Sequence, residues 1–242
     1  MADAKPHRTV SRVTDVLEMV AVSPEGLRLI DIADALNTPR SSMHGLLKGL
    51  EAEGYLSETR GRYSLGNAVG ALLVPPGGDF NPAVLAALES LRAQFDETVM
   101  LGARVGNNLV YLAVRESRQA IRYSAPTRVR RPLYPTSAGR CFLAFAEDTD
   151  RERYLSAHVA ADSVASVRTE LREIRESGVA VNRGDTVPDV YGVSSIVQDR
   201  AGVVQTISVA GPQHRMADRL PGIVEAVCSA ALNVQTAVSA LR

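Results

Sequence analysis

Apolar residues recur at helical spacing through residues 29–36 and again through residues 40–50. Leu29, Ile32, Ala33 and Leu36 share one face of the first segment. Met43, Leu46, Leu47 and Leu50 share one face of the second, the i, i+3, i+4, i+7 spacing of a helix with one side buried. A tight turn separates them. Thr38 is the predicted N-cap, Pro39 the first helical residue, and Gly54 the left-handed stop. The outward face of the second helix carries Arg40, Ser41, Ser42, His44 and Lys48, short hydrogen-bonding groups and cations that suit phosphates and base edges. The pattern predicts a helix-turn-helix whose second helix enters a DNA major groove.

The flanking pattern extends this unit. Residues 10–22 read as a preceding helix with Val10, Val13, Leu17, Val20 and Ala21 aligned, broken by Ser23-Pro24-Glu25-Gly26. Residues 55–65 read as two short strands around a turn near Gly61, with Arg60 and Arg62 at a polar tip. Three helices and a basic hairpin make a winged helix-turn-helix, its wing arginines placed for phosphate or the minor groove. A short connecting helix over residues 66–74 leads to Pro75-Pro76-Gly77-Gly78, the clearest linker. The organisation read from the chain is an arm at 1–9, a winged helix at 10–66, a linker helix and Pro/Gly linker at 67–80, and a second domain at 81–242.

Past the linker, strands and helices alternate. Asn81-Pro82 caps a helix to about Phe95. Residues 98–105 and 109–114 form a hairpin around Gly106-Asn107-Asn108, and residues 120–124 a short third strand. Residues 128–135 are extended by their prolines. Helices follow from Thr136-Ser137-Ala138-Gly139-Arg140 to Ala146, over 149–158, and over 167–177 up to Gly178. A strand-like stretch precedes Asn182. A last hairpin spans 190–198 and 203–210, with its turn in Asp199-Arg200-Ala201-Gly202, and closes at Gly211-Pro212. A long helix over 221–241 aligns Ile223, Val224, Val227, Ala231, Val234 and Val238. The fold class is α+β in two domains, the second an antiparallel sheet flanked by helices.

The 242 residues, 45% hydrophobic and 22% charged, are ordinary for a globular protein. No apolar run approaches the ~18 residues of a membrane helix. The polar N-terminus has no signal-peptide core, which reads as an arm carrying Arg8 and Arg12 on a cytoplasmic protein. Cys141 and Cys228 both sit in apolar segments, so a disulfide framework is not expected. Net charge is zero, so cations for nucleic acid must be placed locally. Walker, dinucleotide, Gly-x-Ser-x-Gly and His-Glu-x-x-His patterns are absent. His7, His44, His158 and His214 are scattered, and no metal or cofactor is expected.

Three sets of motifs stand in order along the chain: Leu29-Ile30-Asp31-Ile32-Ala33-Asp34-Ala35-Leu36 with Pro39-Arg40-Ser41-Ser42-Met43-His44 and Gly61-Arg62-Tyr63-Ser64-Leu65-Gly66; Arg131-Pro132-Leu133-Tyr134-Pro135-Thr136-Ser137-Ala138-Gly139-Arg140 with Arg175-Glu176-Ser177-Gly178-Val179-Ala180-Val181; and Ala201-Gly202-Val203-Val204 with Ile207-Ser208-Val209-Ala210-Gly211-Pro212. Together they resemble the IclR-type bacterial regulators. The resemblance implies a GAF-like effector domain for a small organic acid or aromatic compound, and homodimers or homotetramers acting on palindromic operators of catabolic genes. By position it implies ligand contacts at Leu133, Ser137, Ala138, Asn182, Val190, Gly192, Ser208 and Ala210. Two departures stand out. Gly45 occupies a position where the family usually has Arg or a similar long side chain. Asn182, Gly192 and Ala210 replace the acid, cysteine and serine of members sensing small keto acids, which implies a less charged, roomier pocket.

The reading is a ligand-responsive transcription factor, not an enzyme. Its DNA-facing candidates are Arg8, Arg12, Thr38, Arg40, Ser41, Ser42, His44, Lys48, Arg60 and Arg62. The alternatives are a small-molecule enzyme with a helix-turn-helix head, or a protein-interaction module. Arg115, Arg118, Arg122, Arg128, Arg130, Arg131 and Arg140 either form an exposed edge or interface or draw an anionic effector to the pocket. Ser137-Ala138-Gly139 is either an ordinary helix cap or an anion-friendly helix start. Asn182 is either a turn residue or a ligand contact.

Overall fold

Val16 and Val20, one helical turn apart, are the buried residues of α1 (Arg8–Ala21). The computed structural model describes residues 7–73, 80–198 and 204–240, and the chain divides near Leu73 into two units. The helix starts earlier than its apolar pattern suggested, because the Ser11 amide already donates to the His7 carbonyl at 3.0 Å. Arg8 and Thr9 are therefore helical rather than part of an arm. Residues 1–6 of that arm, the Pro75-Pro76-Gly77-Gly78 linker, the Asp199-Arg200-Ala201-Gly202 turn, Leu241 and the side chain of Val238 lie outside the described residues. Val10 is 61% exposed and Ala21 is also exposed; the inward stripe is Val16 and Val20, with Val13 and Leu17 half-buried beside them.

The helix-turn-helix is α2 (Leu29–Ala35) followed by α3 (Arg40–Ala52). Asp31 accepts the Arg28 amide at 3.2 Å and so satisfies a free donor at the start of α2. Both helices end alike. Asn37 takes a left-handed φ of 42° and Gly54 one of 78°. The next amides, Thr38 and Tyr55, reach back to the carbonyls of Ala33 and Leu50, both at 2.9 Å, the double-bonded helix stop that favours a left-handed residue. The expected cap of α3 is corrected. Pro39, with ψ of 135°, occupies the cap position, and the Thr38 hydroxyl turns inward to donate to Leu36 O at 3.0 Å.

The wing is a three-stranded antiparallel sheet in the order β1-β3-β2, from β1 (Leu27–Arg28), β2 (Leu56–Thr59) and β3 (Arg62–Leu65). β1 is too short to leave a periodic signal. It is placed by Gly26, whose φ is 67° and whose absent Cβ would lie 2.8 Å from the Tyr63 carbonyl oxygen. Arg60 (φ 53°) and Gly61 (φ 76°) make the tight turn at the tip, both with the positive φ such a hairpin needs. Ile32, Met43, Leu47 and Val16, none of them exposed, fill the core of this unit. α4 (Asn67–Leu73) follows the wing.

In the second unit, α5 (Pro82–Phe95) is capped by Asn81, whose side chain accepts the Ala83 amide at 2.9 Å. Among the described residues six strands form one sheet in the order β6-β5-β4-β9-β8-β7: β4 (Thr98–Val105), β5 (Asn108–Arg115), β6 (Arg131–Pro132), β7 (Val179–Arg183), β8 (Val190–Gln198) and β9 (Val204–Pro212). Strand alternation divides the side chains between two helical layers. Val99, Leu101, Val193, Val197, Ile207 and Val209 pack with α5 and with α10 (Leu220–Ala240). Met100, Ala180 and Ala210 pack with α6 (Ser137–Phe145), α7 (Asp148–His158) and α8 (Val164–Ser177). A one-turn helix, α9 (Gln213–Met216), follows β9 directly; its four residues are too few to show a period.

The strand expected over residues 120–124 is not formed. That segment is held by side chains instead: Asp96 accepts the Arg118 amide at 2.9 Å and the Gln119 side chain at 2.8 Å, while Glu116 accepts from Arg122 at 3.0 Å and Ser124 at 2.9 Å. Of the extended stretch 128–135, only Arg131–Pro132 pairs, against Leu109 and Asn108.

Candidate nucleic-acid interface and effector pocket

The first turn of α3 presents Arg40, Ser41, Ser42 and His44 to solvent, followed by exposed Gly45. This face is outward because Met43, Leu47 and Leu50 are buried on the other side. Nothing lies within 4 Å of a Cβ built on Gly45, so that position is open space on the same surface. Arg60 stands exposed at the wing tip. Arg8 is exposed and Arg12 half-buried on α1. Three other candidates are differently placed. Thr38 is 7% exposed and bonded inward. Arg62 is half-buried and donates from Nη1 to Gly26 O at 2.9 Å, tying β3 to the turn before β1. Lys48 is clamped by Glu51 at 2.8 Å and Glu58 at 2.6 Å. These hydrogen-bonded carboxylates hold its pKa above the ordinary lysine range, and Lys48 in turn holds Glu58 below the usual carboxylate range.

On the α6 side of the sheet lies a cavity of about 380 Å³, its open mouth included. Among the residues named as candidate ligand contacts, Ser137, Asn182, Val190, Gly192 and Ala210 line it. Leu133 and Ala138 do not. They are 0% and 1% exposed and belong to the core beneath α6. Ser208 is also behind the wall. It is linked to the pocket by a chain of buried hydroxyls, Ser137 to Ser194 at 2.8 Å and Ser194 to Ser208 at 2.7 Å. Gly192 makes room for that chain: a Cβ there would meet Ser137 Oγ at 3.0 Å.

Thr136 caps α6, accepting the Gly139 amide at 3.0 Å and donating to Leu133 O at 2.7 Å. The start of this helix, with the Thr136 and Ser137 hydroxyls, forms one end of the cavity. Asn182 has no polar capacity left for a ligand. Its amide donates to Pro135 O at 2.7 Å and Thr186 Oγ1 at 2.8 Å, and its oxygen accepts the amides of Gly184 and Asp185 at 3.0 and 3.1 Å. It fixes the loop that carries Thr186 and Val187 to the mouth.

The walls that sequence reasoning missed are aromatic: Tyr111, Tyr123 and Tyr191, with Met100. Strand alternation could have placed Met100 on the Ala210 face, but the approach of Tyr123 depends on an irregular loop. Burial raises the Tyr111 phenol above its ordinary pKa, so the hydroxyl is neutral. No charged side chain lines the cavity among the described residues. Of the arginines read as a possible anion funnel, Arg122 pairs with Glu116, and Arg140, 4% exposed, pairs with Glu170 at 3.1 Å and Asp185 at 2.7 Å. Arg131 lies over the Tyr111 ring, 5.7 Å from its centroid, outside the cavity.

Comparison with known proteins matches both units. The IclR helix-turn-helix domain matches residues 9–60, and the bacterial transcriptional regulator IclR C-terminal domain matches residues 80–236. The chain belongs to the IclR family. The HTH-type transcriptional regulator BhcR of Paracoccus denitrificans is 30% identical over 247 residues, covering 95% of this chain and 86% of that protein. The crystal structure of an IclR-family protein from Rhodococcus sp. is 25% identical, with a TM-score of 0.62 and coverage of 99% and 98%. An IclR homologue from Microbacterium hydrocarbonoxydans, solved with 4-hydroxybenzoate, shares the fold at 21% identity, with a TM-score of 0.63 and coverage of 96% and 99%.

This IclR-family chain is thus a transcriptional regulator with an N-terminal DNA-binding domain, and its relatives are regulators rather than enzymes. Its thiols fit that assignment. Cys141 is fully buried, donates to Ser194 O at 3.2 Å, and has its pKa pushed up to about 12 by burial, which makes it a packing residue rather than a nucleophile. Among the described residues no cluster of His, Cys, Asp and Glu could hold a metal, and no helix is long and apolar enough to cross a membrane.

Proposed function

We propose that this regulator reads operator DNA through Arg40, Ser41, Ser42 and His44, with Arg60 on an adjacent phosphate and Arg8 and Arg12 flanking. In this reading it acts in the cytoplasm as a homodimer or homotetramer on a palindromic site, where several heads bind together more tightly than one. A small aromatic effector occupies the pocket of the second domain. The observation that carries the effector reading is the lining itself: three tyrosines and a methionine beside the hydroxyl oxygens of Thr136 and Ser137, with no charged side chain. Such walls suit a flat ring whose polar substituents meet Ser137, Thr136 and the start of α6. Binding of 4-hydroxybenzoate by the Microbacterium hydrocarbonoxydans homologue supports this class. The effector acts by population shift, binding one arrangement of the reading heads better than the other.

The test is fluorescence anisotropy of the purified full chain on its own upstream intergenic DNA, across a salt series, with excess unrelated DNA present. Competition-resistant binding with a steep salt slope, altered by a hydroxylated aromatic acid, is expected. Binding no tighter than to unrelated DNA, with or without aromatic ligands, would refute the proposal. A response to small aliphatic acids but not aromatics would refute the effector class alone.

A further inference from the structure

Lys48 lies in the third turn of α3, where a cation on a recognition helix would meet phosphate. Its ammonium is instead held from two sides, by Glu51 one turn along the same helix at 2.8 Å and by Glu58 on β2 at 2.6 Å. The three side chains together carry one net negative charge. Glu58 is not a loose surface acid. It stands directly opposite Tyr63 in the wing ladder, and Tyr63 is 3% exposed. The register of β2 against β3 thus sets a carboxylate beside the helix that carries Lys48. Exposed ion pairs add little to stability, so the larger consequence of this arrangement is for the field that DNA meets.

Resting on the regulator reading above, we infer that Glu58, together with Glu51, restrains DNA affinity by holding Lys48 as an internal counter-ion and keeping it out of phosphate contact. Each phosphate neutralised by a free cation adds about 0.9 to the log–log slope of affinity against salt. Withholding Lys48 lowers the sequence-independent part of binding while leaving base contacts of the first turn intact. Glu58 therefore raises the ratio of specific to non-specific binding, which governs occupancy in a genome of competing sites. The same charge pattern explains how a near-neutral chain can retain a basic residue on α3 without becoming a general DNA binder.

The experiment compares the full chain with Lys48→Gln, Glu51→Gln, Glu58→Gln, the double Glu variant and the triple variant. Each is titrated onto a labelled duplex of unrelated sequence between about 50 and 200 mM salt. The double Glu variant should bind more tightly and steepen the slope by about 0.9 per reading head. Adding Lys48→Gln should abolish that gain, while Lys48→Gln alone should leave the wild-type slope unchanged. Thermal unfolding of each variant separates charge effects from loss of the wing, and Lys48→Gln alone carries the test if Glu58→Gln unfolds. A slope flattened by about 0.9 per head in Lys48→Gln alone, or an unchanged slope in a folded double Glu variant, would overturn the inference while leaving the regulator reading intact. Absence of salt-dependent binding by the wild-type chain to any DNA would overturn both.

Discussion

Arg60 and Arg62 are neighbours at the wing tip, two residues apart, and the structure gives them opposite roles. Arg62 donates a charged hydrogen bond to Gly26 O at 2.9 Å, fastening β3 to the turn that sets β1. Hydrogen bonds to charged groups contribute about 1.5–3 kcal/mol. Half-burial and solvent screening bring this to about 1–2 kcal/mol. In Arg62→Ala, that loss should appear as local opening. A change of about 1–2 kcal/mol raises the open population roughly 5- to 30-fold, so the amides around Gly26 and β1 should exchange faster by that factor.

Arg60 makes no hydrogen bond or ion pair among the described residues and sits at φ 53°. Asn tolerates that backbone better than Ala, so Arg60→Asn removes the charge without straining the turn. It should leave exchange unchanged and reduce the DNA salt slope by about 0.9 per reading head. Hydrogen–deuterium exchange by mass spectrometry and anisotropy on unrelated DNA, both on the full chain, report the two effects separately. Were Arg62→Ala to flatten the salt slope while the Gly26 region stayed protected, the assignment of Arg62 as a structural tie would be refuted.

Three other outcomes follow from the second domain. Gly139→Ala should destabilise it by about 3 kcal/mol, at the upper end of overpacking costs, because the new Cβ would start 1.9 Å from Leu133 O, a backbone atom; an unchanged melting temperature would contradict the packing of α6. Asn182→Ala removes three hydrogen bonds to the β7–β8 loop and one to Pro135 O, and should speed proteolytic cleavage within residues 184–189 while the sheet stays folded; an equally resistant loop would show that Asn182 is not its anchor. At pH 8 a thiol reagent should label half-buried Cys228 in the native protein and reach Cys141 only on unfolding. The Cys141 thiol is both inaccessible and, with its pKa about 12, protonated there; labelling of native Cys141 at the rate of a free thiol would contradict its burial.

Much of the DNA-binding unit was legible because its signals are local. The apolar stripes of α2 and α3, the glycine at 54 and the turn at Gly61 each depend on residues within a few positions. The errors were local as well. The cap of α3 moved by one residue because the Thr38 hydroxyl preferred Leu36 O, and the inward stripe of α1 shifted to Val16 and Val20 once it met its partner helices. The pocket was half legible. Alternation along β7, β8 and β9 places Asn182, Gly192 and Ala210 on one face, but it gives no account of Tyr123, which arrives on a loop shaped by the Asp96 and Glu116 carboxylates.

The sequence alone determined the two-domain order, the type of nearly every long element and the outward residues of α3. Periodicity and turn chemistry act over single helical turns and strand pairs. The tertiary structure decided which polar groups remain available. Lys48 meets Glu58 ten residues away, Arg62 meets Gly26 thirty-six residues away, and Asn182 meets Pro135 forty-seven residues away. Each looks free in the sequence and is occupied in the fold. A hydrogen bond or ion pair depends on distance in space, and only the packed chain sets that distance.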